Sequence, residues 1–128
     1  MNKIFTKPFN AGGAIVSNSF VKFGADDDTV VQAAASTDSI MGAVNMVAKP
    51  GSAAASGDRL DVELYGIVDI KLGGAVTRGG FVTSDANGLG VAAAPGAGTN
   101  ARIGGIAQAS GVAGDIIPVL LTLGSLQG

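Results

Sequence analysis

Arg59-Leu60-Asp61-Val62-Glu63-Leu64-Tyr65-Gly66-Ile67-Val68-Asp69-Ile70-Lys71-Leu72 alternates with period two along its whole length. Every even position is apolar or glycine. The odd positions are Arg59, Asp61, Glu63, Tyr65, Ile67, Asp69 and Lys71, which are mostly polar. Successive strand residues point to opposite faces, so the pattern predicts a long half-buried strand. Gly66 is a cheap place for a bulge or bend, so the stretch reads as one long strand or two joined ones.

Strand signals continue on both sides. After it, Gly73-Gly74 turns the chain. Residues 81–84 and 89–94 read as strands around Asp85-Ala86-Asn87-Gly88, a turn containing Asn-Gly. Residues 95–99 form a loop, and 101–109 and 115–123 are the last two strands. Gly104-Gly105 predicts a bulge in the first of these. In the second, Pro118 cannot donate to a ladder, which predicts an edge or a bulge. Ile117, Val119, Leu121 and Leu123 share one face there.

Before the long strand, residues 50–57 are a small-residue loop. Residues 38–47 are ambiguous: Ser36, Thr37 or Asp38 could cap a helix, while Gly42 and the β-branched residues favour a strand. Residues 29–32 and 14–23 are strand-like, separated by the solvated turn Asp26-Asp27-Asp28. Residues 1–12 read as an extended N-terminal arm, with Ile4, Phe5 and Phe9 among polar residues and Pro8 opposing a helix. The expected organisation is therefore an arm over 1–12 and one β domain over 13–128. Turn signals every eight to twelve residues predict an all-β barrel or sandwich.

Composition narrows the chemistry. The chain has 128 residues, enough for one modest core. It has no His, Cys or Trp. Imidazole-based catalysis, thiolate nucleophiles, disulfides and Cys/His zinc sites are thereby excluded. Glycine alone accounts for 21 residues, and alanine for as many, so the two smallest residues make up a third of the chain. Charged residues are only 14% of the total and the net charge is −2. The three Arg and five Lys are scattered, which opposes nucleic-acid binding by phosphate neutralisation. No run of 18 apolar residues is present, so no transmembrane helix is expected. The N-terminal residues lack the apolar stretch of a signal peptide. A surface this poor in charge predicts that part of it is covered by partners.

Candidate catalytic motifs are weak. Ser19-Phe20-Val21-Lys22 has S-x-x-K spacing but sits in a strand-like run, where positions three apart face opposite ways. Asp61 and Glu63 could form a glycosidase pair, yet alternating charges on the wet face of a sheet look the same. The aspartates at 26–28 and the Asp85 turn lack the spacing and closing Glu of a calcium loop. No G-K-[ST] and no dinucleotide fingerprint occur, so no nucleotide site is expected. The reading is of a non-enzyme without cofactor or metal. The apolar arm residues either pack on their own barrel or dock on a neighbouring subunit or another protein.

The ordered series of turns and strands also carries a resemblance. Gly12-Gly13-Ala14-Ile15, Phe20-Val21-Lys22-Phe23-Gly24 and Thr37-Asp38-Ser39-Ile40-Met41-Gly42 resemble the N-terminal half of the small phage capsid cement, or head decoration, proteins. Gly57-Asp58-Arg59-Leu60-Asp61-Val62 is similar to their central strand. Val76-Thr77-Arg78-Gly79-Gly80-Phe81-Val82-Thr83-Ser84-Asp85-Ala86-Asn87-Gly88 is similar to a later turn, and Ile103-Gly104-Gly105-Ile106-Ala107 with Gly114-Asp115-Ile116-Ile117-Pro118-Val119 to their closing pair. The similarity spans about residues 10–123. One departure is Gly80, where an acidic residue is more usual.

The resemblance implies a β-barrel or β-tulip-like module on the outer capsid surface of a virion, made in the host cytoplasm and often trimeric. Its implied partners are the major capsid protein and further copies of itself, with no nucleic acid and no membrane. The expected contact residues are Ile4, Phe5, Pro8 and Phe9 of the arm and Arg59, Asp61, Glu63 and Tyr65 of the long strand. The alternative is a carbohydrate-binding or adhesive β-module of a tail or cell surface. Five Phe, one Tyr and no Trp speak against that alternative.

Overall fold

The computed structural model describes residues 3–45 and 55–127. They form nine strands: β1 (Lys3–Ala11), β2 (Ser19–Phe23), β3 (Thr29–Gln32), β4 (Ile40–Val44), β5 (Arg59–Lys71), β6 (Phe81–Ser84), β7 (Gly90–Ala92), β8 (Asn100–Ala107) and β9 (Ile116–Gln127). The all-β, single-domain architecture expected from the sequence is what the chain adopts. One sheet runs β1-β3-β2-β4-β5-β9-β8-β6-β7, and β1 also pairs with β5. That extra pairing closes the first five strands into a barrel. All pairings between strands are antiparallel except β1 with β3. A parallel bridge between Leu72 and Gly90 brings β7 back against the end of β5. The remaining four strands and the second half of β5 thus form a second ring.

The 13-residue strand β5 is common to both rings. It forms at the predicted position because its alternation serves two different cores. Leu60 and Val62 join Phe9, Ile15, Val21, Val30, Met41 and Val44 in the first core. Val68, Ile70 and Leu72 join Phe20, Ile40, Ala43, Val82, Val119 and Leu121 in the second. The switch occurs at Gly66, which pairs with Lys3 of β1 and with Leu121 of β9. Its φ of +116° is a conformation that L side chains rarely adopt, so glycine there permits the bend. The bend expected at this residue is therefore real, and the strand continues through it.

Strands β2 and β4 are buried on both faces, since neighbouring residues enter different cores: Phe20 against Val21, Ile40 against Met41, Ala43 against Val44. A register shift, with Val21 opposite Gly42 and Lys22 opposite Ile40, leaves Met41 as the extra residue. This bulge lets Ile40 and Ala43, of opposite parity, face the same core. The helix alternative for this segment does not occur, because all five residues of β4 are buried and a sheet neighbour lies on either side. Residues 46 and 47 of that stretch, and 50–54 of the small-residue loop, lie outside the described residues.

Three expectations need correction. The segment read as an arm is strand β1, an integral part of the barrel, paired with β5 from Lys3 to Asn10. Pro118 sits neither on an edge strand nor in a bulge. It lies in β9 between β5 and β8, opposite Asp69, and its carbonyl accepts from the Gln108 N–H at 2.9 Å. In an antiparallel pair a residue's N and O face the same neighbour. The missing donor therefore falls just past the end of β8 at Ala107, where no ladder bond is lost. Leu123 does not follow Ile117, Val119 and Leu121 into the core and is 46% exposed, because β9 has by then left β5 and its register with β8 slips by one residue between Leu121 and Gly124.

Candidate interaction surface

The expected contact residues divide between surface and core. Phe5 and Tyr65 sit directly opposite each other on β1 and β5, and both are exposed, at 63% and 45%. Their pairing, set between two register shifts, brings two exposed aromatic residues to neighbouring positions on the sheet. Pro8 is exposed opposite Asp61. The Asn10 N–H bonds the Asp28 carbonyl, away from β5, so the Pro8 nitrogen two residues earlier also faces away from β5. That outer edge of β1 meets β3 only at Asn10 and Ala11, which is why proline is tolerated. Arg59 and Asp61 are exposed, and Arg59 Nη1 donates to Asn10 Oδ1 at 3.3 Å.

Phe9 and Glu63 do not belong to this surface. Phe9 is 1% exposed. Its ring meets Phe23 edge-on at 5.9 Å between centroids, and the Lys7 ammonium lies 4.9 Å from the ring centre. This is the anchor that fixes β1 to its own barrel. Glu63 is buried and accepts a hydrogen bond from Thr6 Oγ1 at 2.7 Å. Counting parity placed it on the wet face, but Ala43 of β4 pairs with it. A bulge at Leu64 also offsets the alternation, with Thr6 opposite Glu63 and Phe5 opposite Tyr65. The side chain of Ile4 lies outside the described residues.

Sequence reading missed other exposed apolar residues: Val112 at 60%, Ile116 and Phe23 at 55%, Leu123 at 46% and Phe81 at 42%. Leu123 is a strand residue whose pattern gives no sign of exposure, whereas Ile116 has the parity opposite to the buried Ile117, Val119 and Leu121. Val112 lies in the turn before β9, where its exposure was the more legible.

The polar groups have structural partners. Ser19 is buried and its Oγ donates to the Val16 carbonyl at 2.8 Å, while Lys22 Nζ lies 3.0 Å from Asp38 Oδ2. The S-x-x-K pair is thus drawn apart. Asp26 and Asp85 accept from backbone N–H groups of their own turns, those of Asp28 and of Asn87 and Leu89. Among the described residues no cluster of three or more Asp or Glu could hold a metal ion. A shallow recess between Ser36, β6, Val91 and Ala101 is lined by alanines together with Ser36, Thr83, Ser84 and Asp85. Thr83 borders it with a buried hydroxyl that has no partner.

Asp38 orders the loop between β3 and β4. Burial acts to raise its carboxyl pKa, but the Ala34 N–H at 2.7 Å and the Lys22 ammonium outweigh it and hold the pKa below the ordinary value of 3.8. A lowered folded pKa means that its stabilisation is complete above pH 3.8 and is lost as pH falls through the folded value. Asp38→Asn is expected to cost about 1 kcal/mol at pH 6, as for a partly exposed ion pair with one backbone bond. In urea melts at stepped pH, the difference from the parent chain should shrink below pH 3.8. A gap constant down to pH 2 would contradict this account.

Comparison with known proteins gives a fold likeness. No protein-family model matches the chain, and no curated protein matches it. Among solved structures, the N base of the head fiber gp8.5 of bacteriophage phi29 is similar, with a TM-score of 0.64 and 16% sequence identity. The match covers 97% of this chain and 98% of that one. At this identity the two share a fold, and they share it over essentially their whole lengths.

Proposed function

We propose that this chain is a structural protein of a phage virion that sits on the outer capsid surface and stabilises contacts between major capsid protein subunits. The observation that carries the reading is the fold likeness to a phage head fiber base, extending over 97% of the chain. The resemblance of the ordered turn and strand series to capsid cement proteins supports it too. So does the Phe5–Tyr65 patch, a pair of exposed aromatics in a chain with few charges. Aromatic side chains are favoured anchors at protein interfaces. The mechanism is mechanical: each copy bridges neighbouring subunits, and many weak contacts repeated by symmetry add up through effective concentration. Self-association as a trimer belongs to the same reading.

Quantitative mass spectrometry of purified virions tests it. The chain is expected in a near-integer ratio to the major capsid protein, and its absence from virions would overturn the proposal. Tyr65→Ala combined with Phe5→Ala tests the surface. Both residues are exposed, so the barrel should fold and melt within about 1 kcal/mol of the parent. Co-sedimentation with capsids should fall at least tenfold, as for loss of interface anchors worth about 2 kcal/mol together. Undiminished capsid binding by the folded double variant would show that another face makes the contact.

A further inference from the structure

Strand β9 changes neighbours half-way along. Ile116 to Leu121 pair with β5 on one side, and β8 runs along the other. Past Leu121 the register slips, residues 124–127 keep β8, and residues 122–127 have no second strand among the described residues. The register fixes which groups are open. Arg102 sends its N–H to the Ser36 carbonyl at 2.7 Å, away from β9. Arg102 and Ser125 are therefore a non-hydrogen-bonded pair, and the Ser125 N–H and C=O also point away from β8. By alternation those of Gln127 do the same, and Leu123 lies where the ladder slips by one residue between Leu121 and Gly124. The result is a row of outward donors and acceptors on an exposed strand.

Open edges are normally protected by charge, proline or short length. Two other free edges among the described residues follow that rule. The outer side of β1 carries Lys7 and Pro8, and β7 has three residues. By contrast, Thr122, Leu123, Gly124, Ser125, Leu126 and Gln127 contain neither charge nor proline. Leu123 adds exposed apolar surface to the same stretch. An edge left unguarded in a chain that guards two others is an edge that is covered in the working assembly.

We propose that the open edge of β9 pairs, antiparallel and across a two-fold axis, with the same edge of a second copy of this chain. The strand suits itself. Having no charge, it meets no like charge when placed opposite its own copy. Centred on Ser125, the two-fold sets Ser125 opposite Ser125 and Leu123 opposite Gln127, so the open groups of each Ser125 face those of the other. Gly124 has open space around its Cα, and no side chain there obstructs the approach. The paired ribbons form one continuous sheet, β8-β9-β9-β8. This contact rests on the strand edge and not on the virion role, and it leaves the Phe5–Tyr65 patch free.

The test uses Ser125→Pro in the full chain. Proline removes an outward N–H while the bonds to β8, made by the alternate residues, remain. Sedimentation equilibrium across a concentration series should give the parent chain twice the mass of the variant at the concentrated end. Hydrogen exchange at the Ser125 and Gln127 amides should be slowed in the parent as concentration rises. Equal masses for parent and variant would overturn the proposal. So would protected amides in a chain that stays monomeric, because a segment of the same chain would then cover the edge. If Ser125→Pro fails to fold, Leu123→Lys carries the test: its site is exposed, and it is expected to halve the mass in the same way.

Discussion

Phe20→Ala is expected to remove about 3–5 kcal/mol of stability, the usual cost of emptying a buried aromatic site. Phe20 is fully buried on β2 and is the largest member of a cluster drawn from β2, β4, β5, β6, β8 and β9. Its backbone is tied as well, with its N–H on the Gly88 carbonyl at 2.9 Å and its carbonyl taking the Ala33 N–H at 3.0 Å. The site cannot collapse easily, so the cavity should persist. A second residue makes the prediction specific. A Cβ on Gly104 would lie 2.5 Å from Phe20 Cε1. Gly104→Ala alone should therefore cost about 1–3 kcal/mol by overpacking. In a Phe20→Leu background the same change should cost at least about 1 kcal/mol less, because the ring edge it strikes is gone. Urea unfolding of the four chains closes the cycle. Additive losses would mean that Gly104 matters for the local register of β8 on β9 and not for the ring.

Gly105→Ala is the second large effect. Gly105 pairs with Val82 of β6 and with Leu121 of β9, so it sits in the middle of the second ring. A Cβ there would drive into the Leu120 carbonyl oxygen and come within 2.6 Å of Val119 Cγ1. The first neighbour is backbone in a paired strand and cannot rotate aside. Its φ is not in the left-handed region, so the penalty is steric and not conformational. The expected loss is about 3 kcal/mol, at the upper end for overpacking. Thermal melts of the soluble variant should show it as a large drop in Tm. A Tm within a few degrees of the parent would mean that β8 and β9 can part at this point, which the shared register of 105–107 argues against.

These two glycines show how much of the fold the sequence carries. Gly104-Gly105 predicts a bulge in β8; the register does shift between Ile103 and Gly105, but the extra residue is on β9, between Leu121 and Gly124. The reason found in the structure is larger than a bend: one glycine makes room for a ring from β2, the other for the backbone of β9. Neither partner is near in sequence, so neither could be read there. Strands 29–32 and 81–84 fell where turn residues bounded β-branched runs. Local signals of that kind are sufficient because backbone preference and turn chemistry act over a few residues.

The candidate surface was legible in part. Phe5 and Tyr65 came from the sequence as separate suspects, and the register of β1 on β5 places them face to face. Phe9 and Glu63 came from the same reasoning and lie inside. Nothing in the run Pro8-Phe9-Asn10 distinguishes a barrel strand from a free arm, since either is extended. The difference is made by Phe23, by β5 and by the Asp28 carbonyl, all distant along the chain.

The sequence by itself determined the class of the fold and the place of its central strand. Period two in residues 59–72 states which side chains share a face, and that property is local. Only the tertiary structure decided what each face meets. It made β5 the shared wall of two rings, buried β4 on both faces, covered Glu63 and left Leu123 in the open. Burial is a property of pairs of surfaces, and a single strand's alternation specifies one surface of each pair.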